Sequence, residues 1–261
     1  MIIDTHCHLD DNRYEYDLKE VITRAKESYG VMKFIIPGAD INDLLRAKSI
    51  SHQYNEVYFA VGVHPYNCDN FDIDLLRSQI TDKKCVAVGE CGLDYYRLKD
   101  DFDSDEEREE NKNLQKKIFI EQIELAIEYK KPLIVHTRDA NQDSYDILNS
   151  YANNLNGGVL HCYNASPIFL NLAQKGFYFG IGGVLTFKNA KALQEIVSSI
   201  PKQKLLLETD APYLTPEPHR GKRNEPGFTY YVALRLSEIL GMEMEELCKL
   251  TTDNAEKLFR F

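Results

Sequence analysis

Eight short apolar runs, most of them followed by a polar residue and then by a helical pattern, constrain this 261-residue chain more than any other feature. They are Ile2 to Thr5, Phe34 to Ile36, Val57 to Val61, Val86 to Gly89, Leu133 to Val135, Gly158 to Leu160, Phe177 to Ile181 and Leu205 to Leu207. Between them the spacing predicts helices over Leu18 to Lys26, Asn42 to Gln53, Leu75 to Ile80, Ser144 to Tyr151, Pro167 to Gln174 and Ala190 to Ser198. Two closing helices are expected at Tyr230 to Leu240 and Glu243 to Leu250, with a final turn from Asn254 to Phe259. Strands alternating with helices imply parallel pairing through right-handed crossovers. Eight such units in this length predict an α/β fold, a single distorted (β/α)8 TIM barrel spanning residues 1–261.

The fourth crossover is the longest and begins with an acidic run from Asp100 to Glu110. Ser104 followed by Glu107 reads as a capping box, and carboxylates in a first turn suit the positive end of the helix dipole. The run is therefore expected to be a solvated helix start, continuing into a buried stripe of Phe119, Ile123, Ala126 and Ile127.

No Pro/Gly/Ser-rich linker and no repeat divides the chain, and 43% hydrophobic residues supply a sizeable core. A formal charge of -10 disfavours broad attraction to polyanions or an anionic membrane, although it leaves room for a local positive site. Six scattered cysteines without a Cys-X-X-Cys fit free thiols in a reducing compartment. Asp4 and His6 interrupt the first apolar run too early for a signal peptide, and no later run approaches a membrane span. A cytoplasmic protein without membrane contact or an obligate protein partner is expected.

The polar residues at the strand ends carry the chemistry. The first strand runs into His6-Cys-His8, the third into Gly62-Val-His64, the fourth into Gly89-Glu90-Cys-Gly-Leu-Asp94, the fifth into His136-Thr-Arg138, the sixth into His161 and the eighth into Glu208-Thr-Asp210. In a parallel barrel all these ends lie on the C-terminal face, where active sites are assembled from several strands. In an open sheet the first and eighth strands would stand up to about 34 Å apart, too far to share an ion. Four histidines and two carboxylates then make a two-metal set, with His6, His8 and Asp210 on one ion, His136 and His161 on the other, and Glu90 bridging. Ligand softness leans toward Zn or Mn over Mg. Asp4 and Glu208, two residues before His6 and Asp210, are either orienting partners of the ligands or members of buried ion pairs. Cys7, Cys91 and Cys162 alternate with proposed ligands and are expected to pack behind the site.

Eight stretches, running in order over essentially the whole chain, resemble the TatD family of metal-dependent hydrolases in the amidohydrolase-like barrel superfamily. They are Asp4-Thr-His-Cys-His-Leu-Asp10, Gly62-Val-His-Pro65, Val88-Gly-Glu-Cys-Gly-Leu-Asp-Tyr-Tyr96, Val135-His-Thr-Arg-Asp-Ala140, Val159-Leu-His-Cys162, Leu207-Glu-Thr-Asp-Ala-Pro-Tyr-Leu214, Pro218-His-Arg-Gly-Lys222 and Thr251-Thr-Asp-Asn254. The resemblance implies the ligands already derived, plus substrate contacts near His64 and Arg138. The family includes divalent-metal-dependent DNases, some of them 3'-to-5' exonucleases.

The expected function is hydrolysis of DNA phosphodiesters by attack of metal-bound hydroxide, with Glu90 and Asp210 as catalytic groups and Asp210 also handling a proton. Hydrolysis of an ester or carbon-nitrogen bond in a small or aminoacylated substrate is the alternative. Phosphate is favoured by the cations after the eighth strand, where Arg220 and Lys222 are expected to bind substrate beside Arg223. Tyr95, Tyr96, Tyr163 and Tyr213 lie near proposed ligands and are candidates for base stacking.

Overall fold

Each of the eight runs forms a strand in the computed structural model, which describes residues 1–261. The strands are β1 (Ile2–Asp4), β2 (Val31–Ile36), β3 (Val57–Val61), β4 (Cys85–Asp94), β5 (Leu133–Arg138), β6 (Gly158–Leu160), β7 (Phe177–Ile181) and β8 (Leu205–Leu207). They pair in sequence order, all parallel. Closure runs through the residues just past β1 and β8. Thr5 N donates to Leu207 O (3.0 Å), Asp210 N to His6 O (2.9 Å) and His8 N to Ala211 O (2.7 Å). The barrel is nearly closed and irregular, with register shifts in the β1–β2, β3–β4 and β4–β5 pairings.

Alternation along each strand separates two apolar layers. In β2, Phe34 and Ile36 join the large outer cluster shared with the helices, whereas Ile35 joins an inner cluster with Ile3, Ile134, Val159 and Leu206. The helices are α1 (Leu18–Tyr29), α2 (Leu44–Gln53), α3 (Ile73–Gln79), α4 (Leu98–Asp101), α5 (Asp105–Tyr129), α6 (Asn141–Tyr151), α7 (Lys191–Ile196), α8 (Thr229–Leu240) and α9 (Met244–Phe259). From α9, Leu258 and Phe259 pack on the inner cluster. Thr252 Oγ1 donates to Met1 O (3.0 Å) and Asn254 Nδ2 to Leu205 O (2.9 Å), so α9 seals the N-terminal end of the barrel. The opposite end is left open for function.

Three elements differ from expectation. The segment Pro167–Lys175 is a 3-10 helix, the tighter winding that serves for short connectors. The two closing pieces after α8 are one helix, because Thr251 Oγ1 bonds back to Leu247 O (3.0 Å) and stays inside it. Strand β4 continues past Gly89 to Asp94 and carries Glu90 within it. Gly89 (φ +149) and Gly92 (φ +145) permit this course: a Cβ on Gly92 would stand 2.0 Å from His136 O, so only glycine lets β4 lie this close to β5.

The acidic run splits between α4 and the first turn of α5. Ser104 Oγ accepts from Glu107 N (3.1 Å) and Glu107 Oε2 from Ser104 N (3.1 Å), completing the expected capping box. The buried face of α5 also holds two glutamines that the hydrophobic pattern does not reveal. Gln122 accepts from Val63 N (2.8 Å) and donates to Val63 O (3.1 Å). Gln115 accepts from Asp94 N (2.9 Å) and donates to Asp94 O (3.0 Å). Seven residues apart, two helical turns, they clamp the backbone at the ends of β3 and β4.

Candidate metal centre

Glu90 stands at the middle of the open end, and its two oxygens face different groups of histidines. Oε2 lies 3.4 Å from His6 Nε2 and 3.9 Å from His8 Nε2. Oε1 lies 3.0 Å from His136 Nδ1 and 3.7 Å from His161 Nε2. Asp210 Oδ1 completes the first side at 3.6 Å from His6 and 3.4 Å from His8. The fold thus brings His6, His8, Glu90, His136, His161 and Asp210 together, although they span more than 200 positions of sequence.

Two further carboxylates hold rings from behind. Glu208 Oε1 lies 2.9 Å from His161 Nδ1 and accepts from Cys162 N (2.6 Å), leaving His161 Nε2 turned toward Glu90 and Asp210. Asp94 Oδ2 lies 2.9 Å from His136 Nε2, leaving Nδ1 turned toward Glu90. A carboxylate on the far nitrogen fixes the tautomer and aims the near one, as it does for metal-binding histidines. Glu208 therefore makes a buried charged contact with His161 and stands where it can orient the ring, in keeping with both expectations for it. Asp4 acts differently: it accepts from Thr209 N (3.1 Å), Thr209 Oγ1 (2.6 Å) and His6 N (3.2 Å), fastening backbone across the barrel seam. The role of Asp94 is not among the expectations from sequence, yet Glu90 and Asp94 are four apart on one strand and so share a face.

The electrostatics suit a cation. Burial opposes ionisation of Glu90, but His6 and His161 beside it hold its carboxyl well below the usual range. Burial likewise penalises a charged His161, yet Glu208 and Glu90 push it up to about 10. His8, with burial opposing and Asp210 favouring its charge, is pushed up to about 9. Carboxylates that stabilise positive charge this strongly create a potential fit for a divalent ion. Both ring nitrogens of fully buried His6 lack a hydrogen-bond partner, and its ring stacks on His161 with centroids 3.4 Å apart. Unmade hydrogen bonds on a buried imidazole are costly unless ligation satisfies it. Together, the nitrogen donors and carboxylate oxygens around Glu90 fit a divalent metal centre.

His64 is arranged for another task. Its Nδ1 accepts from Tyr66 N (3.1 Å), so the proton of the neutral ring resides on Nε2, which points toward Glu90 Oε1 at 3.9 Å. Burial, with His136 nearby, lowers its pKa to about 3. A neutral ring protonated at Nε2 is a donor toward the cavity.

The cluster opens into a cavity of about 820 Å³ whose wall includes His64, Tyr66, Arg97, Arg138, Tyr163 and Tyr213. Arg138 is exposed, makes no ion pair with Glu208 or Asp139, and lies 3.5 Å over the Tyr96 ring. Of the candidate stacking tyrosines, Tyr96 and Tyr213 present exposed rings, whereas Tyr95 bonds Asp143 and Tyr163 is buried. Cys7 and Cys91 are fully buried as expected, whereas Cys162 is half-buried and lines the cavity instead of packing behind the site, and all six cysteines are free. The cations after β8 do not join the wall. Arg220 rests 3.9 Å over Phe187, Lys222 is exposed on the loop, and Arg223 is held by Asp17 (2.6 Å) and Glu225 (3.2 Å). Arg223 is therefore a structural residue.

A parallel barrel with histidines and carboxylates converging at the C-terminal ends of its strands defines a metal-dependent hydrolase. The chain belongs to the TatD related DNase family, whose model matches residues 3–260. It is 40% identical over 264 residues to the uncharacterized metal-dependent hydrolase YabD of Bacillus subtilis (strain 168), covering 100% of this chain and 99% of that one. It is 30% identical over 268 residues to the 3'-5' ssDNA/RNA exonuclease TatD of Shigella flexneri serotype 5b, covering 99% and 98%. Among solved structures, the TatD homologue YjjV of Escherichia coli K12 superposes with a TM-score of 0.87 at 29% identity, covering 100% of this chain and 98% of that one.

Proposed function

We propose that residues 1–261 act as one catalytic domain that hydrolyses phosphodiester bonds of single-stranded DNA, trimming it from the 3' end. In this reading His6, His8 and Asp210 would hold one divalent ion and His136 and His161 a second, with Glu90 contributing to both. The observation that carries it is the division of Glu90, with Oε2 toward His6 and His8 and Oε1 toward His136 and His161. The relative named a 3'-5' ssDNA/RNA exonuclease supports the substrate class, since the likeness covers nearly all of both chains. Free cysteines fit action in the cytoplasm.

Bound in such a pair, divalent ions polarise a phosphoryl oxygen and lower the pKa of water toward neutrality; Zn or Mn matches the nitrogen-rich set. The chain supplies the rest. Glu208 and Asp94 hold His161 and His136 in the orientation that ligation needs. His64 Nε2–H donates to an oxygen of the substrate as negative charge grows there. Arg138, free of any ion pair, engages phosphate. Asp210, beside His6 and His8, accepts the proton of the attacking water.

The test is metal analysis of the purified protein, with cleavage of end-labelled single strands, blunt duplex and closed circular DNA under Mg, Mn or Zn. Two ions per chain and metal-dependent trimming of single strands are expected. Rapid cutting of the circle would replace trimming with internal cleavage. No cleavage of any DNA beside brisk ester or amide hydrolysis would establish the alternative chemistry.

A further inference from the structure

The wall between β3 and β5 carries two guanidinium groups that nothing in the protein neutralises. Arg97 follows β4 and Arg138 ends β5; both line the cavity and neither makes an ion pair. This is notable because Asp100 and Asp101 are close neighbours of Arg97 in sequence and the chain carries a charge of -10. Nearby acidic groups take other partners instead: Asp105 pairs with Arg108, Glu109 with Lys112 and Asp143 with Lys116.

Each arginine lies over a tyrosine. Arg138 stands 3.5 Å above the Tyr96 ring and Arg97 5.0 Å from the Tyr66 centroid. A guanidinium stacked on a ring keeps its N–H edge free for an anion. Tyr66 and Tyr96 are 37% and 52% exposed; Tyr66 lines the cavity and Tyr96 stands outside its wall, under Arg138.

The platform is held in advance of any ligand. Tyr96 N donates to Asp94 Oδ1 (2.9 Å) and Tyr95 N to Arg138 O (2.9 Å), joining the Arg97 turn to the end of β5. Gln115 clamps the backbone of Asp94 from α5. Gln122 clamps Val63 in the same way, one residue before His64, whose ring receives Tyr66 N. One helix thus fixes both tyrosine-bearing turns, which reduces the ordering cost of binding.

We infer that Arg97, Arg138, Tyr66 and Tyr96 form an extended subsite for the nucleotide next to the scissile bond, with the arginines on its phosphate, Tyr66 against its base and Tyr96 beneath Arg138. The inference rests on the phosphodiesterase reading and adds to it a dependence on strand length. A strand with a further phosphate and base engages the wall, and a small diester does not reach it. Long duplex is disfavoured because its bases are stacked inside and its backbone meets the acidic run at Asp100–Glu110.

The experiment compares a five-nucleotide single strand with bis(p-nitrophenyl) phosphate, using the Mn-loaded protein and the variants Arg97→Gln, Arg97→Lys and Tyr66→Leu. Arg97→Gln should lower kcat/KM on the strand about tenfold relative to the small diester, the loss expected of one charge-assisted hydrogen bond. The log-log salt slope for strand binding should fall by about 0.7. Arg97→Lys should restore the salt slope but only part of the rate, because lysine lacks the flat fork. Tyr66→Leu should lower strand affinity without changing the salt slope. Arg77→Gln, which breaks an exposed pair with Glu128 on the outer helices, is the control for nonspecific loss. Equal losses on strand and small diester, or an unchanged salt slope in Arg97→Gln, would overturn the subsite. If the unaltered protein cleaves neither substrate, the phosphodiesterase reading fails; the subsite is then judged by anisotropy of the labelled strand, and binding unaffected by Arg97→Gln overturns it.

Discussion

The two sides of the barrel mouth are built by different means. On the β1–β8 side the backbone does the positioning: Asp4 fastens Thr209 and the His6 amide, while Asp210 N and His8 N close the seam. On the β4–β6 side carboxylates hold the rings, Asp94 on His136 and Glu208 on His161. Their cations differ in the same way. Arg223 is consumed by Asp17 and Glu225, and Arg13 by Asp11, whereas Arg97 and Arg138 face the cavity unpaired. The density of cations in a sequence therefore says little about available positive charge. What matters is which of them find carboxylates in the folded chain.

Glu90 faces both sides with a separate oxygen to each, so changing it should have the largest effect. Glu90→Gln should lower both metal content and turnover, the latter by about 1000-fold, equivalent to roughly 4 kcal/mol. Full metal occupancy with normal turnover, by elemental analysis and steady-state kinetics, would break the two-sided description.

Asp94→Asn should injure only the β4–β6 side. Loss of the carboxylate behind His136 is expected to weaken one of two ions about 10- to 100-fold, leaving the His6–His8 ion in place. Titration with Mn followed by calorimetry separates the two sites. Equal weakening of both would mean that the sides are not independent.

Arg223→Ala should act on stability instead, lowering it by about 1 kcal/mol in urea unfolding while kcat/KM holds. Its partner Asp17 has a pKa lowered chiefly by the Arg223 hydrogen bond. A depressed carboxylate contributes stability that is present above its unfolded value and lost as pH falls through the folded one. The variant should therefore show a flatter acid limb below about pH 4. An unchanged limb would show that the Arg223 pair is not what holds this loop.

The smallest effect is expected from the Arg220→Ala, Lys222→Ala double variant, within about twofold on single-strand cleavage, as for exposed side chains outside a site. Strong loss of trimming would move the phosphate contact to the β8 loop and reverse the comparison of the two rims.

The sequence by itself determined the barrel and which side chains meet at its mouth, because both are written in local periodicity. Short apolar runs alternating with helical patterns leave few topologies, and the polar residues that end several strands lie on the C-terminal face. His6, His8, Glu90, His136, His161 and Asp210 were legible for that reason, and so was the Ser104–Glu107 cap. Tertiary structure alone decided the partners. Arg97 and Arg223 both have acidic neighbours in sequence, yet one faces a cavity unpaired and the other meets Asp17, 206 positions away, as well as Glu225. Gln115 and Gln122 sit on the buried face of α5 where a helical pattern expects apolar residues, and their value lies in backbone amides of other strands. Hydrogen bonds and ion pairs act over a few ångströms of space, so which groups they join depends on the closed barrel and is not encoded in any one stretch of chain.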